Sequence, residues 1–85
     1  MSAILIADDE QPVREFLALV LADFGHETVL ARNGQDALEL IEKERPDLVI
    51  SDVMMPLMGG VELCRRLKAA PDTAAIPVVL MTSAG

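Results

Sequence analysis

The sequence predicts an α/β fold: a doubly wound parallel sheet with helices on both faces. Short apolar runs alternate with stretches in which apolar residues recur every three or four positions, from one end of the chain to the other. The runs lack polar alternation, which is typical of strands buried on both faces of a parallel sheet. The expected order is strand, helix, strand, helix, strand, helix, strand, with right-handed crossovers.

The first strand and the first helix have clear boundaries. Ala3 to Ala7 is a continuous apolar run that stops at Asp8. Pro12 suits the first turn of a helix, and Gly25 is a natural helix stop. The spacing of apolar residues predicts that this helix is buried along one broad stripe, formed by Val13, Phe16, Leu17, Val20, Leu21 and Phe24.

The second strand and helix are shorter. The strand is expected over Glu27 to Leu30. The helix is expected over Gly34 to Glu44, before Pro46. Its inward residues are predicted to be Ala37, Leu38 and Ile41.

The last three elements follow the same alternation. A third strand is expected over Asp47 to Ser51 and ends at Asp52. The third helix begins after the pair Gly59-Gly60, with Leu63, Cys64 and Leu67 facing inward. A fourth strand is expected over Ile76 to Met81 and ends at Thr82.

Composition narrows the class of protein. The 85 residues suffice for one domain, 1–85, with seven basic residues against fourteen acidic ones. The net charge of -7 repels nucleic acid and anionic lipid. The single cysteine, Cys64, cannot form an intrachain disulfide, and the longest apolar run of seven residues is too short to span a bilayer. We expect a cytoplasmic protein with neither nucleic acid nor membrane as a partner.

Polar side chains stand where three of the predicted strands end. These are Asp8 and Asp9, then Asp52, then Thr82. Ligands of such sheets bind beyond the carboxyl ends of the strands, and these residues converge if the first, third and fourth strands are neighbours. Clustered carboxylates repel one another unless a cation lies among them, and Mg²⁺ prefers such oxygen ligands. Beside Mg²⁺ a carboxylate can attack phosphorus, and Asp52 is the best placed to do so.

Each of these residues also has a purely structural interpretation. Taken singly, Asp8 to Glu10 fit the cap of the following helix better than a metal site. Asp52 equally fits a turn, and the hydroxyl of Thr82 fits a bond to the main chain. Their joint placement is what favours a site.

Several of these motifs together resemble one known family. They are the pair Asp8-Asp9 after the first strand, Asp52 closing the third, Met55-Pro56 shortly after it, Gly60 eight residues after Asp52, and Thr82. In this spacing the chain resembles, over all 85 residues, the receiver domain of bacterial two-component response regulators. The resemblance implies a flavodoxin-like sheet of order 2-1-3-4, truncated to four strands and three helices.

The resemblance also implies a role for each site residue. Asp52 would be the phosphoacceptor and Thr82 the switch hydroxyl. Mg²⁺ would be held by Asp8, Asp9 and Asp52, with the main-chain carbonyl of Met54. The phosphoryl group would come from a histidine kinase or a histidine phosphotransfer protein, and the domain would not be a turnover enzyme.

Two departures from the family pattern bear on function. Gly59 stands where an Asp is usual, and we expect little effect because glycine is an acceptable helix cap. Receivers normally continue with a helix, a fifth strand that carries a Lys, and a final helix, so residues 1–85 resemble roughly the first two-thirds of a receiver. Lys43 and Lys68, the two lysines of the chain, do not match that Lys.

This second departure supports an alternative of another class. The chain would be a degenerate receiver-like interaction module that does not switch. With either function, Ile76 to Met81 is expected to be an exposed apolar edge, and we expect a homodimer through that edge or through uncovered sheet faces. A third interpretation is a haloacid-dehalogenase-type phosphatase, which requires an acid two residues after the nucleophile. Met54 stands at that position, so this interpretation is set aside.

Overall fold

A computed structural model describes residues 2–82 of the chain. Strands and helices alternate along it, in the order β1 (Ala3–Ala7), α1 (Gln11–Asp23), β2 (Glu27–Ala31), α2 (Gly34–Lys43), β3 (Leu48–Asp52), α3 (Gly60–Ala69) and β4 (Val78–Met81). All strand pairs are parallel, and the sheet order is β2-β1-β3-β4. The predicted fold class, strand order and number of elements are therefore confirmed.

The strand register aligns the carboxyl ends of the sheet. Ala7 at the end of β1 pairs with Ala31 on β2 and with Ser51 on β3. Asp52 at the end of β3 pairs with Met81 at the end of β4. The residues that follow β1, β3 and β4 consequently meet at one edge of the sheet.

The core lies between the sheet and two helices. Leu5 and Val49 on the central strands are buried against apolar side chains of α2 and α3, chiefly Ile41, Leu63 and Leu67. The start of α2 is fixed by Asn33, whose side-chain oxygen accepts a hydrogen bond of 2.8 Å from the Asp36 N–H. The inward positions predicted for α2 and α3 thus include the most buried residues of both helices.

The predicted buried stripe on α1 is wrong. No residue of α1 is buried, and Phe16 is 64% exposed. The helix packs on β1 and β2, over the side chains of Ile4 and Ile6, on the face opposite α2 and α3. Within residues 2–82, α1 is the one helix on that face of the sheet. The sides of α1 are therefore not covered by a neighbouring helix. The predicted stop is confirmed, since Gly25 follows the helix with a φ of 86°.

The fourth strand is shorter than the sequence predicts. It begins at Val78, because Pro77 has no N–H to donate, although the Pro77 carbonyl still accepts a 3.0 Å bond from the Val49 N–H. Ile76 is buried in the core ahead of the strand. Within residues 2–82, β4 pairs only with β3, and its Val79 is 48% exposed.

None of the three helices in residues 2–82 is long and apolar enough to cross a membrane.

Candidate functional site

Three aspartates meet at the carboxyl edge of the sheet. Asp8 and Asp9 follow β1, and Asp52 is the last residue of β3. One carboxylate oxygen from each residue lies within 4.8 Å of the other two. The structure therefore brings together the acidic residues that the sequence singled out, because β1 and β3 are neighbours in register.

Asp8 is the most buried of the three, with 3% of its surface exposed. Burial raises the pKa of its carboxyl group, because the charged form loses hydration. The bond from the Glu10 N–H lowers this pKa, the negative charges of Asp52 and Asp9 raise it, and the positive charge of Arg14 lowers it. A carboxylate in this position is stabilised by any cation that approaches it.

Helix capping does not account for these carboxylates. The N-cap residue of α1 is Glu10, and its side chain makes no capping bond. The 2.9 Å bond from the Glu10 N–H to Asp8 Oδ1 lies inside the connection that precedes the helix. The capping interpretation therefore holds only for this one bond at the helix start, and no side chain of residues 8–10 accepts a bond from an N–H within α1.

The donor set suits a hard divalent cation. Three carboxylates supply oxygen ligands, which Mg²⁺ and Ca²⁺ prefer, whereas Zn²⁺ and iron sites usually recruit His or Cys. Within residues 2–82 the three aspartates form the one group of three or more His, Cys, Asp and Glu residues close enough to share an ion. Asp9 is exposed, so an ion there would keep part of its water shell.

A cavity of about 190 Å³ opens beside the acids. It brings Thr82, just after β4, to the same space as Asp52, as expected from the sequence. Three residues that the predicted site did not include, Glu10, Val13 and Met81, also line it. The three-residue spacing of Glu10 and Val13 at the start of α1 could have indicated a shared face. The full lining is Asp8, Glu10, Val13, Asp52, Met81 and Thr82.

The loop between β3 and α3 is tied to its surroundings by main-chain bonds. The Val53 N–H donates to the Met81 carbonyl and the Gly60 N–H to the Val53 carbonyl, both at 3.0 Å. Met58 donates to Pro56 at 2.7 Å across a three-residue turn. Met54 is the second residue of this loop, and its side chain is 75% exposed.

The two lysines lie away from the cavity. Lys68 on α3 bonds through Nζ to the carbonyls of Ala74 and Ile76, at 3.0 and 2.5 Å, in the connection that enters β4. Lys43 is the last residue of α2. A larger cavity of about 400 Å³, between the carboxyl ends of α2 and α3, contains none of the predicted site residues.

Comparison with known proteins agrees with this geometry. The family model of the response regulator receiver domain matches residues 4–85. The chain is 44% identical over 82 residues to the phosphate regulon transcriptional regulatory protein PhoB of Pseudomonas aeruginosa, covering 96% of this chain and 36% of that protein. It is 42% identical over 80 residues to the response regulator MprA of Mycolicibacterium vanbaalenii, covering 94% of this chain and 34% of that protein.

Solved structures show the same relationship. The signal receiver domain of a signal transduction histidine kinase from Syntrophus aciditrophicus superposes with a TM-score of 0.94 at 45% identity, over 96% of this chain and 62% of that one. The chemotaxis response regulator CheY4 of Vibrio cholerae gives a TM-score of 0.90 at 32% identity, over 94% of this chain and 67% of that one. The chain thus spans about a third of the curated relatives and about two-thirds of the solved domains, and it belongs to the response regulator receiver domain family.

Proposed function

We propose that this domain accepts a phosphoryl group on Asp52 in two-component signalling. The observation that carries the proposal is the meeting of three aspartates within 4.8 Å at the end of β1 and β3, beside the cavity that Thr82 also lines. The donor is a histidine kinase or a histidine phosphotransfer protein, as the family implies. The domain would act in the cytoplasm.

The transfer needs one bond to form and one to break. An oxygen of the Asp52 carboxylate bonds to phosphorus while the bond between phosphorus and the donor's imidazole nitrogen breaks, and the electron pair of that bond stays on the nitrogen. Asp8, Asp9 and Asp52, with the main-chain carbonyl of Met54, would hold Mg²⁺. A bound Mg²⁺ neutralises charge that develops on the transferred group.

Thr82 and the acidic pair have separate tasks in this proposal. The Thr82 hydroxyl donates a hydrogen bond to a phosphoryl oxygen on Asp52, which links the modification to the end of β4. Asp8 and Asp9 orient the acceptor and remain unmodified. Since the phosphoryl group stays on Asp52, each chain takes up one group, and the domain is an acceptor rather than a turnover enzyme.

Acetyl phosphate with Mg²⁺ tests the proposal on the 85-residue chain. Intact mass should show one added phosphoryl group, which Asp52→Asn abolishes while Asp23→Asn, at the exposed end of α1, retains it. No lysine of residues 2–82 lines the cavity, and a charged contact to the phosphoryl group contributes about 1.5–3 kcal/mol. We therefore expect labelling at least about tenfold weaker than for a receiver that includes the Lys. Undiminished labelling of Asp52→Asn would contradict the proposal.

A second candidate function is self-association of this chain. The observation that favours it is apolar exposure in two places: at Val79 and Leu80 on β4, whose outer edge has no partner strand within residues 2–82, and at Phe16 and Leu19 on α1. An edge strand without charge is a template for pairing with a second chain, and two-fold symmetry would make the two β4 strands antiparallel.

Sedimentation of the chain at micromolar concentration tests the homodimer. If the sheets join at their edges, Val79→Lys should yield monomers while Phe16→Lys remains dimeric. If the uncovered faces pack together instead, Phe16→Lys should yield monomers and Val79→Lys should remain dimeric. A wild-type chain that sediments as a monomer would rule out the homodimer and leave phosphotransfer untouched.

A further inference from the structure

The connection between β1 and α1 is a short segment that carries two of the three acids. It comprises residues 8–10, and three hydrogen bonds hold Asp8 within it. The Asp8 N–H donates to the Ala31 carbonyl on β2 at 3.1 Å, and the Glu10 N–H donates to Asp8 Oδ1 at 2.9 Å. The third bond, of 2.5 Å, runs from Nη1 of Arg14 to the main-chain carbonyl of Asp8.

Arg14 differs from the other arginines of the chain. Arg32, Arg45, Arg65 and Arg66 all form ion pairs with carboxylates and have more than half of their side chains exposed. Arg14 forms no ion pair within residues 2–82, is partly buried, and directs its guanidinium from the first turns of α1 back to the end of β1. Arginine keeps its charge, so a partly buried guanidinium needs an acceptor, and here that acceptor is a main-chain carbonyl.

The arrangement places a positive charge near the acids without engaging their oxygens. The charge of Arg14 lowers the pKa of the Asp8 carboxyl, so it acts on the cluster. The guanidinium nevertheless bonds to the main chain, and one carboxylate oxygen from each aspartate stays close enough to the others to share an ion. A salt bridge to Asp8 would instead compete with a cation for those oxygens.

We infer that Arg14 is a positioning residue for the acidic site: by holding the Asp8 carbonyl it fixes the backbone from which Asp8 and Asp9 project toward Asp52. The inference rests on the proposed function for the identity of the cation. The bond from Arg14 should hold the loop in the metal-free protein as well. A partner of this kind, one step removed from a metal ligand, commonly changes metal affinity by about 10–100-fold.

Two effects of removing Arg14 have opposite signs. Loss of its positive charge alone would favour a cation, whereas loss of the bond to Asp8 would let the loop move and disfavour it. We expect the second effect to prevail, because water screens the charge beside the exposed Asp9 while the hydrogen bond acts directly on Asp8. Arg14→Met keeps the apolar stem and should bind Mg²⁺ about tenfold more weakly. Arg14→Lys keeps a charged donor and should recover most of the affinity.

The test combines a magnesium titration with hydrogen exchange in the metal-free protein. Amide shifts of Asp9 and Asp52 give the Mg²⁺ affinity, and exchange of the Glu10 amide reports the bond to Asp8 Oδ1. Arg14→Met should weaken binding and speed exchange at Glu10 by more than its loss of global stability explains, with that loss measured by urea denaturation against the control Arg32→Met. Equal or tighter Mg²⁺ binding by Arg14→Met, or unchanged exchange at Glu10, would overturn the inference. A wild-type chain that ignores Mg²⁺ would count against the proposed function, and the Glu10 exchange would still decide the role of Arg14.

Discussion

Gly60 lies so close to Asp52 that a Cβ at position 60 would overlap the main-chain carbonyl oxygen of Asp52. The same Cβ would stand 2.9 Å from Ser51 Oγ, on a residue that is wholly buried. Gly60 is the first residue of α3, and Asp52 is the last of β3. The start of this helix therefore rests directly on the end of the strand that presents the acceptor carboxylate.

Substitution of Gly60 by alanine should destabilise the fold. The nearest atom to the added methyl group is a main-chain oxygen, which cannot rotate away as the end of a side chain can. We therefore expect Gly60→Ala to lower the free energy of unfolding by about 2–3 kcal/mol, the scale of overpacking. Urea denaturation measures the loss. Val61→Ala, at a 43% exposed neighbour, is the control and should change stability by less than about 1 kcal/mol. Equal midpoints for the two variants would contradict the close packing.

The metal-free protein should become more stable when Asp8 loses its charge. The pKa of Asp8 is raised in the folded state, so folding binds protons and stability falls as pH rises from the ordinary value of 3.8 through the raised one. Asp8→Asn keeps an oxygen for the Glu10 N–H and should be the more stable protein at pH 7 in a chelator. Urea midpoints from pH 3 to pH 7 should show a smaller decline for the variant. A steeper decline for Asp8→Asn would contradict a raised pKa of Asp8 in the folded protein.

Leu57 and Gly25 are exposed residues with a positive φ, and substitution of each should change the free energy of unfolding, with opposite signs. Leu57 has a φ of 67° and is 85% exposed, so it gains little packing for its backbone strain. Leu57→Gly should raise the free energy of unfolding by about 0.5–1 kcal/mol, a balance of relieved strain against chain entropy. Gly25→Ala should lower it by about 1 kcal/mol, since its φ of 86° disfavours a Cβ although nothing stands within 4 Å of one. Thermal unfolding distinguishes these signs.

Lys68 should contribute stability although it lies far from the acids. Its Nζ bonds to the carbonyls of Ala74 and Ile76, and so ties α3 to the chain that enters β4. Lys68→Met keeps the apolar stem and should lower the free energy of unfolding by about 1 kcal/mol, because the bonds are only partly shielded from water. Lys43→Met, also an exposed position near a helix end, is the matched control. Identical unfolding curves would show that the two bonds add nothing.

The sequence predicted the acidic edge because its signals are local. One apolar run stops at Asp8, and another is followed by Ser51 and Asp52. These patterns place carboxylates at the ends of buried strands without any knowledge of tertiary contacts. When such strands pair in parallel as neighbours, their carboxyl ends lie at the same edge of the sheet, and the carboxylates that follow them come together. The meeting of Asp8, Asp9 and Asp52 follows from two strand ends and one rule of sheet topology.

Features that depend on long-range packing could not be predicted in this way. The periodicity of α1 indicates which residues face the sheet, but the exposure of Phe16 depends on whether another helix stands beside it. The contact between Arg14 and the Asp8 carbonyl depends on a rotamer, and the clash at Gly60 depends on how closely α3 approaches β3. Neither leaves a periodic signal in the sequence.

The parallel sheet also divides the connections of the chain by their tolerance to changes in length. Residues 8–10 and 53–59 leave strands at the acidic edge, next to the residues that carry the carboxylates. Residues 44–47 and 70–77 enter strands at the far edge, a full strand length away. Insertions near the exposed Pro71 would extend outward from that edge and leave the acids in place. Insertions that arise in evolution, or a spectroscopic probe that is attached in the laboratory, should therefore be tolerated at this edge without displacing the acidic residues.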